Sequence, residues 1–323
     1  MKDAMHTAIS LTVLATALAC SLATTPANAR ARVFVASYGN DANPCTFGSP
    51  CKTFQHAHDV VDAGGEVTAI DSAGFGPISI NKAVTITSPN GVEAGIVPTG
   101  GGDAIDINAG ASDSIILNGL TIDGSGTGQN GINFMSGGAL RVQNSFIHGF
   151  AVAGLLFAPT ASGALFVSNT MVSDSAYGIR VLPTGTAATA TASISRSELA
   201  NNGTGFSADG SATDSGSPRA VDATITDTVV TNNSNIGVVA TSTPGAANIG
   251  IINSAITYNN VGIFTEKQVN NGIGSVINIS TTIIRGNSST VVTCAICAIN
   301  SYGNNVIEFN TGQALPTLSV SLH

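Results

Sequence analysis

Three side chains with chemical capability fall at equivalent places in a repeating apolar-x-apolar triplet: Asp106, Asn133 and Arg180. A carboxylate can hold a cation or exchange a proton, an amide can hydrogen-bond a polar ligand, and a guanidinium can bind an anion. If the triplets are stacked strands, these side chains share one outward row. Asp106 and Asn133 would be one coil apart, with Arg180 two coils beyond Asn133. They are the candidate catalytic residues of this chain.

The triplets indicate strands, because their first and third residues are mostly apolar and a period of two is typical of a half-buried strand. The middle residues are therefore predicted to face solvent as one row. In chain order this row is Ser79, Asp106, Asn133, Leu156, Arg180, Ser207, Val239 and Phe264.

A second recurring phrase sets the length of the repeat. Its first residues, which we call the anchors, are Asn144, Asn169, Arg196, Asp227, Asn253 and Thr281, at intervals of 25 to 31 residues. A repeat of this length is typical of a solenoid, whose units bury their apolar faces against one another. The residues two positions before the anchors are predicted to form an inward apolar stripe. With a third short strand after each anchor, the chain has three short strands per coil.

Asparagines recur in the bends between strands, at 201–202, 232–233, 259–260 and 287. Asn tolerates the left-handed backbone conformation, and stacked Asn side chains can hydrogen-bond from one layer to the next. These residues are therefore predicted to form a structural ladder rather than a ligand site.

Residues 1–29 have the pattern of a secretory signal peptide: Lys2, an apolar run from Ile9 to Ala23, and the small-residue site Ala27-Asn28-Ala29. A lipid anchor at Cys20 is an alternative that the preceding residues fit poorly. No membrane span is predicted, since the apolar run is short and interrupted. The protein is expected to be exported and to be extracellular or periplasmic.

Residues 30–66 differ from the coils of 67–323 and are predicted to contain a strand, a cysteine loop and a short helix over 52–61. A helix over the first coil would cover its open apolar end. His56 and His58 are two residues apart and do not share a helix face. A solvated helix is therefore favoured over a metal pair.

The exported chain would keep four cysteines, which are predicted to form two local bridges, Cys45–Cys51 and Cys294–Cys297. The Cys-x-x-Cys spacing of the second pair also occurs in redox and zinc sites. A structural bridge is favoured for it, because the sequence has no second Cys-x-x-Cys pair and no His nearby.

The composition excludes some partners. Only 9% of the residues are charged and the net charge is −8. Nucleic-acid binders need clustered Lys and Arg, and a membrane-surface helix needs a basic face. Neither kind of partner is expected.

The chain resembles right-handed parallel β-helix proteins of the pectin-lyase-like superfamily, and most closely an exported, largely uncharacterised bacterial group. The matching residues are the phrase 35–45, the segment 50–54, the coils and the segment 301–305. The resemblance implies an all-β fold, a single right-handed parallel β-helix with an N-terminal helical cap. It does not imply one activity, because the superfamily includes lyases, hydrolases, epimerases, tailspikes and adhesins.

The activities of this superfamily imply residue patterns that can be checked. Pectate-lyase-like chemistry uses an Arg or Lys base and acidic residues that hold calcium, for which Arg180, Asp106 and Asn133 are the candidates. The hydrolase Gly-His-Gly element is incomplete at His148-Gly149, and the epimerase Asp-Pro-His-Glu run is missing. No cofactor is expected, and calcium enters only under the lyase alternative.

The favoured function is an exported, non-catalytic β-helix that presents a loop-edged face to an extracellular polysaccharide or surface partner. The longest of these loops is Asp209–Ala220. One alternative is a polysaccharide lyase that acts on an acidic glycan through Arg180 and Asp106, although a net charge of −8 repels such a substrate. Another is a structural or adhesin-like rod. A non-enzymatic role is favoured over an enzymatic one.

Overall fold

The computed structural model describes residues 30–213, 219–242, 245–267, 274–292, 298–311 and 318–319. The predicted signal peptide and the predicted Cys294–Cys297 bridge lie outside these residues. Within them the chain winds through three parallel sheets in turn, with one short strand in each sheet per coil. We name the sheets I, II and III in the order in which a coil passes through them.

Sheet I has twelve strands and holds the strand that precedes each anchor. Its strands are β1 (Arg32–Val35), β2 (Gly65–Ala69), β5 (Val84–Thr87), β8 (Ser114–Asn118), β11 (Ala139–Gln143), β14 (Gly163–Ser168), β17 (Ala190–Ser195), β20 (Val221–Thr226), β23 (Ala247–Ile252), β26 (Val276–Ser280), β29 (Ala298–Ser301) and β31 (Leu318–Ser319).

Sheet II has ten strands and holds the strand that follows each anchor. Its strands are β3 (Ala73–Gly74), β6 (Ala94–Ile96), β9 (Leu120–Asp123), β12 (Phe146–His148), β15 (Met171–Ser173), β18 (Glu198–Ala200), β21 (Val229–Thr231), β24 (Ala255–Thr257), β27 (Ile283–Arg285) and β30 (Val306–Glu308).

Sheet III has nine strands and holds the apolar-x-apolar triplets. Its strands are β4 (Ile78–Ile80), β7 (Ile105–Asn108), β10 (Asn130–Ser136), β13 (Ala153–Phe157), β16 (Tyr177–Val181), β19 (Thr204–Asp209), β22 (Ile236–Ser242), β25 (Val261–Lys267) and β28 (Ser289–Val292).

The core is the apolar interior of the coils. The predicted inward stripe of sheet I is confirmed, since each of its residues is at most 1% exposed: Val142, Val167, Ile194, Ile225, Ile251 and Ile279. Burial of such aliphatic side chains is the main stabilising contribution to a fold of this kind, at about 25 cal/mol for each Å² of apolar surface removed from water.

The anchors make the bend from sheet I to sheet II. All six have positive φ, between 46° and 52°. This left-handed conformation turns the chain within one residue, and Asn and Asp adopt it at lower cost than most residues. The residue after each anchor is a buried Ser or Thr that bonds the carbonyl two residues earlier, as Ser145 Oγ does with Gln143 at 2.7 Å.

The predicted asparagine ladder is confirmed, and it is buried. Asn202, Asn233, Asn259, Asn287 and Asn310 are each at most 8% exposed. In a typical step the Asn259 amide accepts from the backbone and side-chain nitrogens of Asn233 at 3.0 and 2.8 Å. These bonds satisfy polar groups that would be costly to bury unpaired.

The short helix predicted over 52–61 forms as α1 (Phe54–Val60), with the Thr53 hydroxyl accepting from the His56 backbone at 3.1 Å. Phe54 is buried at the β1 end of the core, where its ring lies 4.9 Å from that of Phe75. The expectation of a solvated helix is wrong for His58, which is 1% exposed because it lies on the buried side of α1.

Candidate functional site

The outward row predicted from the triplets exists in register across sheet III. Asp106 pairs with Ser79 on one side and Asn133 on the other, and Leu156 separates Asn133 from Arg180. The row continues through Ser207 and Val239 to Phe264. The three site residues predicted from the sequence are therefore not all together. Asp106 and Asn133 are neighbours, and Arg180 lies two coils beyond Asn133.

Asp106 and Asn133 belong to a cluster of two carboxylates and two amides, which we call the sheet III cluster. Asn133 Nδ2 donates to Asp106 Oδ1 at 3.1 Å and to Asp103 Oδ2 at 2.8 Å. Asn130 donates to Asp103 Oδ1 from both its backbone and its side chain, each at 2.9 Å. One amide thus bridges two neighbouring carboxyl groups and holds them together.

The two carboxyl groups of this cluster influence each other. Burial raises the pKa of Asp106 above its ordinary value, and the Asp103 carboxyl raises it further by charge repulsion and hydrogen bonding. The Asn133 amide opposes the rise by stabilising the charged form. Asp106 therefore keeps its proton to a higher pH than an isolated aspartate and can donate a hydrogen bond in that state.

Part of the sheet III cluster faces an open cleft of about 510 Å³. Asp106, Asn133 and Asn108 line it, together with the exposed residues Asn81 and Met135. The cleft offers carboxyl and amide groups beside a thioether, which is a mixture suited to hydroxyl-bearing ligands with apolar faces.

Arg180 does not reach this cleft. Its guanidinium donates to Asp209 Oδ2 at 2.7 Å and lies 4.8 Å from the centroid of the Tyr177 ring. The side chain of Asp209 is 9% exposed and that of Arg180 is 27% exposed. The arginine is therefore held in a half-buried ion pair within its own part of the sheet.

Two residues of the outward row do not face solvent, although every middle residue of a triplet was expected to. Ser207 and Val239 are 3% and 7% exposed. Both are short side chains in register between Arg180 on one side and Phe264 on the other. The larger neighbours shield them, whereas Ser79 is exposed and the remaining members of the row are half-buried.

The oxygen atoms of the sheet III cluster are of the type that calcium prefers, but their present bonding does not favour it. Asp103 accepts three hydrogen bonds from the Asn130 and Asn133 nitrogens, and these occupy the lone pairs that a cation would need. Calcium binding at Asp103 would require these donors to release the carboxylate, and the side-chain amides would have to direct their oxygens toward the ion. Cys45, Cys51 and His56 are close together, but both sulfur atoms are in a disulfide and cannot ligate a metal as thiolates.

The predicted Cys45–Cys51 disulfide is confirmed, with Cα atoms 4.6 Å apart. Both cysteines are buried, and their backbones bond β1: Phe34 donates to the Cys45 carbonyl and Cys51 donates to the Phe34 carbonyl, each at 2.9 Å. The bridge thus fastens the loop after β1 to the first strand of sheet I.

Sequence reasoning missed Asp103 and Asn130, and it placed Asp209 in a loop and not at the end of a strand. A signal for the first two was present, since Asp103-x-x-Asp106 and Asn130-x-x-Asn133 have the same spacing in consecutive coils. Asp209 had no such signal, because it is the last residue of a strand in the coil after that of Arg180.

No protein-family model matches the sequence, and no curated protein is significantly similar to it. The similar solved structures include the pectate lyase Pel9A, with 13% identity, a TM-score of 0.52, and coverage of 90% of this chain and 78% of that one. XylC in complex with xylose has 9% identity and a TM-score of 0.55, covering 84% of this chain and 68% of that one. ORF18 of Geobacillus virus E2 has 11% identity and a TM-score of 0.56, covering 79% and 52%.

At these identities the likeness shows the fold. The chain is a parallel β-helix of the right-handed kind found in pectate lyase, with three short strands per coil, as predicted. Among the described residues, no helix is long and apolar enough to cross a membrane.

Proposed function

We propose that the protein is an exported, non-catalytic β-helix that binds an extracellular polysaccharide on the outer face of sheet III. The observation that carries this proposal is the sheet III cluster in its open cleft. Asp106 and Asn133 offer both donors and acceptors to sugar hydroxyls, and Met135 offers an apolar contact beside them.

The position of Arg180 supports binding rather than lyase chemistry. A lyase base must lie within hydrogen-bond reach of the proton it removes. The guanidinium of Arg180 is bonded to Asp209 at 2.7 Å, and Leu156 lies in register between Arg180 and the cleft. At about 4.8 Å per coil, the two coils separate Arg180 from Asn133 by about 10 Å.

The second candidate is a carbohydrate-active enzyme, a lyase acting on an acidic glycan. The adjacent carboxyl groups of Asp103 and Asp106 favour it, because a carboxyl group whose pKa is raised, as that of Asp106 is, can act as a general acid beside a second carboxyl group. The structural or adhesin-like rod remains the third alternative and requires no ligand in the cleft.

The test is retention of the full chain on a panel of immobilised neutral and acidic polysaccharides. Asn81→Ala removes an exposed cleft amide, and Asn133→Ala removes the bridge between the carboxyl groups. Both should weaken retention on the polymer that the unchanged protein binds. Asn260→Ala removes an exposed amide in a bend outside the cleft and should leave retention unchanged. Retention on no polymer would contradict the proposal.

A further inference from the structure

A second groove lies on the other side of the solenoid, where sheet I bends into sheet II. It has a volume of about 580 Å³ and is lined by anchors and by outward residues of sheet II in five consecutive coils. At about 4.8 Å per coil it is about 19 Å long. We call it the corner groove. It shares no lining residue with the sheet III cleft.

The floor of the corner groove carries an exposed amide ladder. Asn144 Nδ2 donates to Asn118 Oδ1 at 2.7 Å, and Asn169 Nδ2 donates to Asn144 Oδ1 at 2.8 Å. The next anchor in the row is an arginine, Arg196, so no further amide donates to Asn169. Among the described residues, none donates to the side-chain oxygen of Asn169, so the ladder ends there with an acceptor available to a ligand.

Arg196 is the polar centre of the groove. Within the described part of the chain its guanidinium has no hydrogen-bond or ion-pair partner, although the side chain is exposed beside Asn169 and Asp227. In the next coil Asp227 accepts from Asn253 with one carboxylate oxygen, and no side chain of the described residues donates to the other oxygen. Arg196 thus brings five donors to a groove whose lining also includes the neighbouring anchors Asn169 and Asp227.

An aromatic ring lies one coil from this polar array. Phe146 is 36% exposed and lines the groove, and its ring is stacked on His148 with centroids 4.4 Å apart. The stacking fixes the orientation of the ring. A fixed aromatic face packs well against the apolar C–H face of a pyranose, while neighbouring polar groups bond its hydroxyls.

The charges of the groove select between kinds of glycan. Glu198 and Asp227 contribute two carboxylates to the lining, against one guanidinium from Arg196. A polymer with a carboxylate on each sugar would be repelled, whereas vicinal hydroxyls can both donate to the carboxylates and accept from the arginine. The coil spacing is also close to the length of one sugar in an extended chain.

We propose that the corner groove is a second binding site, which takes a stretch of a neutral, hydroxyl-rich oligosaccharide. Arg196, Asp227 and Asn169 bond its hydroxyls, and Phe146 packs against one sugar ring. The proposal rests on the proposed function for its general class of ligand. It adds a second site and a preference for uncharged sugars.

The test is calorimetric titration of the full chain with soluble xylo-, manno- and cello-hexaoses. Arg196→Asn installs the residue type that three other anchors carry in the same left-handed conformation, so the fold should persist. Phe146→Thr installs the residue of the preceding coil, Thr121. Each variant should weaken binding of at least one hexaose by about tenfold or more, since charge-assisted hydrogen bonds or ring packing are lost. Arg219→Ala, an exposed arginine outside the groove, should have no effect.

A comparison with Asn133→Ala distinguishes binding in the corner groove from binding in the sheet III cleft. Weaker hexaose binding in Arg196→Asn and in Phe146→Thr supports the corner groove, whether or not Asn133→Ala also weakens binding at the sheet III cleft. Loss in Asn133→Ala alone overturns the corner groove and leaves the proposed function intact. Unchanged affinity in both Arg196→Asn and Phe146→Thr, or no binding of any hexaose by the unchanged protein, also overturns it.

Discussion

The guanidinium of Arg180 and the carboxylate of Asp209 form a hydrogen-bonded ion pair at 2.7 Å across two neighbouring coils. Both side chains are withdrawn from solvent, Asp209 almost completely. A cation in such a pair holds the coils together and is a poor candidate for proton transfer. The ion pair therefore gives Arg180 a structural role, and not the role of a base that its residue type suggested.

Removing Arg180 should destabilise the fold. Arg180→Met leaves the buried Asp209 carboxylate without its cationic partner, which should lower the free energy of unfolding by about 1–3 kcal/mol. The double variant Arg180→Met/Asp209→Asn removes the orphaned charge and should recover much of the loss. Arg219→Ala breaks an exposed pair and serves as the control, with a change below about 0.5 kcal/mol. Urea unfolding measures all three, and equal losses in the single and double variants would contradict the structural role.

The raised pKa of Asp106 predicts how the stability of the fold depends on pH. This carboxyl group should stabilise the fold at low pH, the reverse of a carboxyl group whose pKa is lowered by folding. Between the ordinary pKa of 3.8 and the raised value, the folded state binds more protons than the unfolded state. This contribution to stability is therefore present at low pH and is lost as pH rises through the raised pKa. Asp106→Asn keeps the group neutral, so it should be more stable than the unchanged protein at neutral pH and equally stable below pH 3.8. Unfolding midpoints across the acidic range measure the difference, with the exposed Asp222→Asn as control.

The buried asparagine ladder predicts a position-specific loss of stability. Asn259→Ala deprives the Val230 carbonyl and the Asn233 backbone nitrogen of their partners, which lie at 3.1 and 3.0 Å. Each buried group left unpaired costs about 1–3 kcal/mol. The neighbouring Asn260 is exposed, and Asn260→Ala should be nearly neutral. Thermal unfolding of the two variants compares them directly, and similar melting temperatures would show that the ladder contributes little.

The Cys45–Cys51 bridge closes a short loop and should make a moderate contribution to the free energy of unfolding. The double variant Cys45→Ser/Cys51→Ser should lower the free energy of unfolding by about 2 kcal/mol, because the unfolded chain regains the freedom of that loop. Urea unfolding of this variant is a cleaner measure than reduction, which would also act on the predicted Cys294–Cys297 bridge. An unchanged midpoint would show that β1 holds its loop without the bridge.

The strands of each coil could be predicted from the sequence, because the pattern that specifies them lies within a few consecutive residues. The apolar residues before the anchors and in the triplets alternate with polar ones, and that alternation specifies both the inward stripe and the outward register. The bend asparagines were predictable for the same reason, as Asn202 and Asn233 recur at one place in the coil.

The site was only partly predictable because its contacts join different coils. Asp106 and Asn133 were found from their triplets, whereas Asp103 precedes its strand and falls outside the period of two. The partner of Arg180 depends on how a long side chain crosses to the next coil, which no spacing rule specifies. The corner groove was missed because the anchors were considered only as bends.

The most direct test of the proposed function monitors binding and cleavage in one experiment. The full chain is incubated with each polysaccharide of the panel, with and without calcium, while retention and the ultraviolet absorbance of unsaturated uronides are recorded. We expect retention on at least one polymer, weakened in Asn133→Ala and kept in Asn260→Ala, with no rise in absorbance under either condition. A calcium-dependent rise in absorbance on any polymer of the panel would contradict this account and establish a lyase.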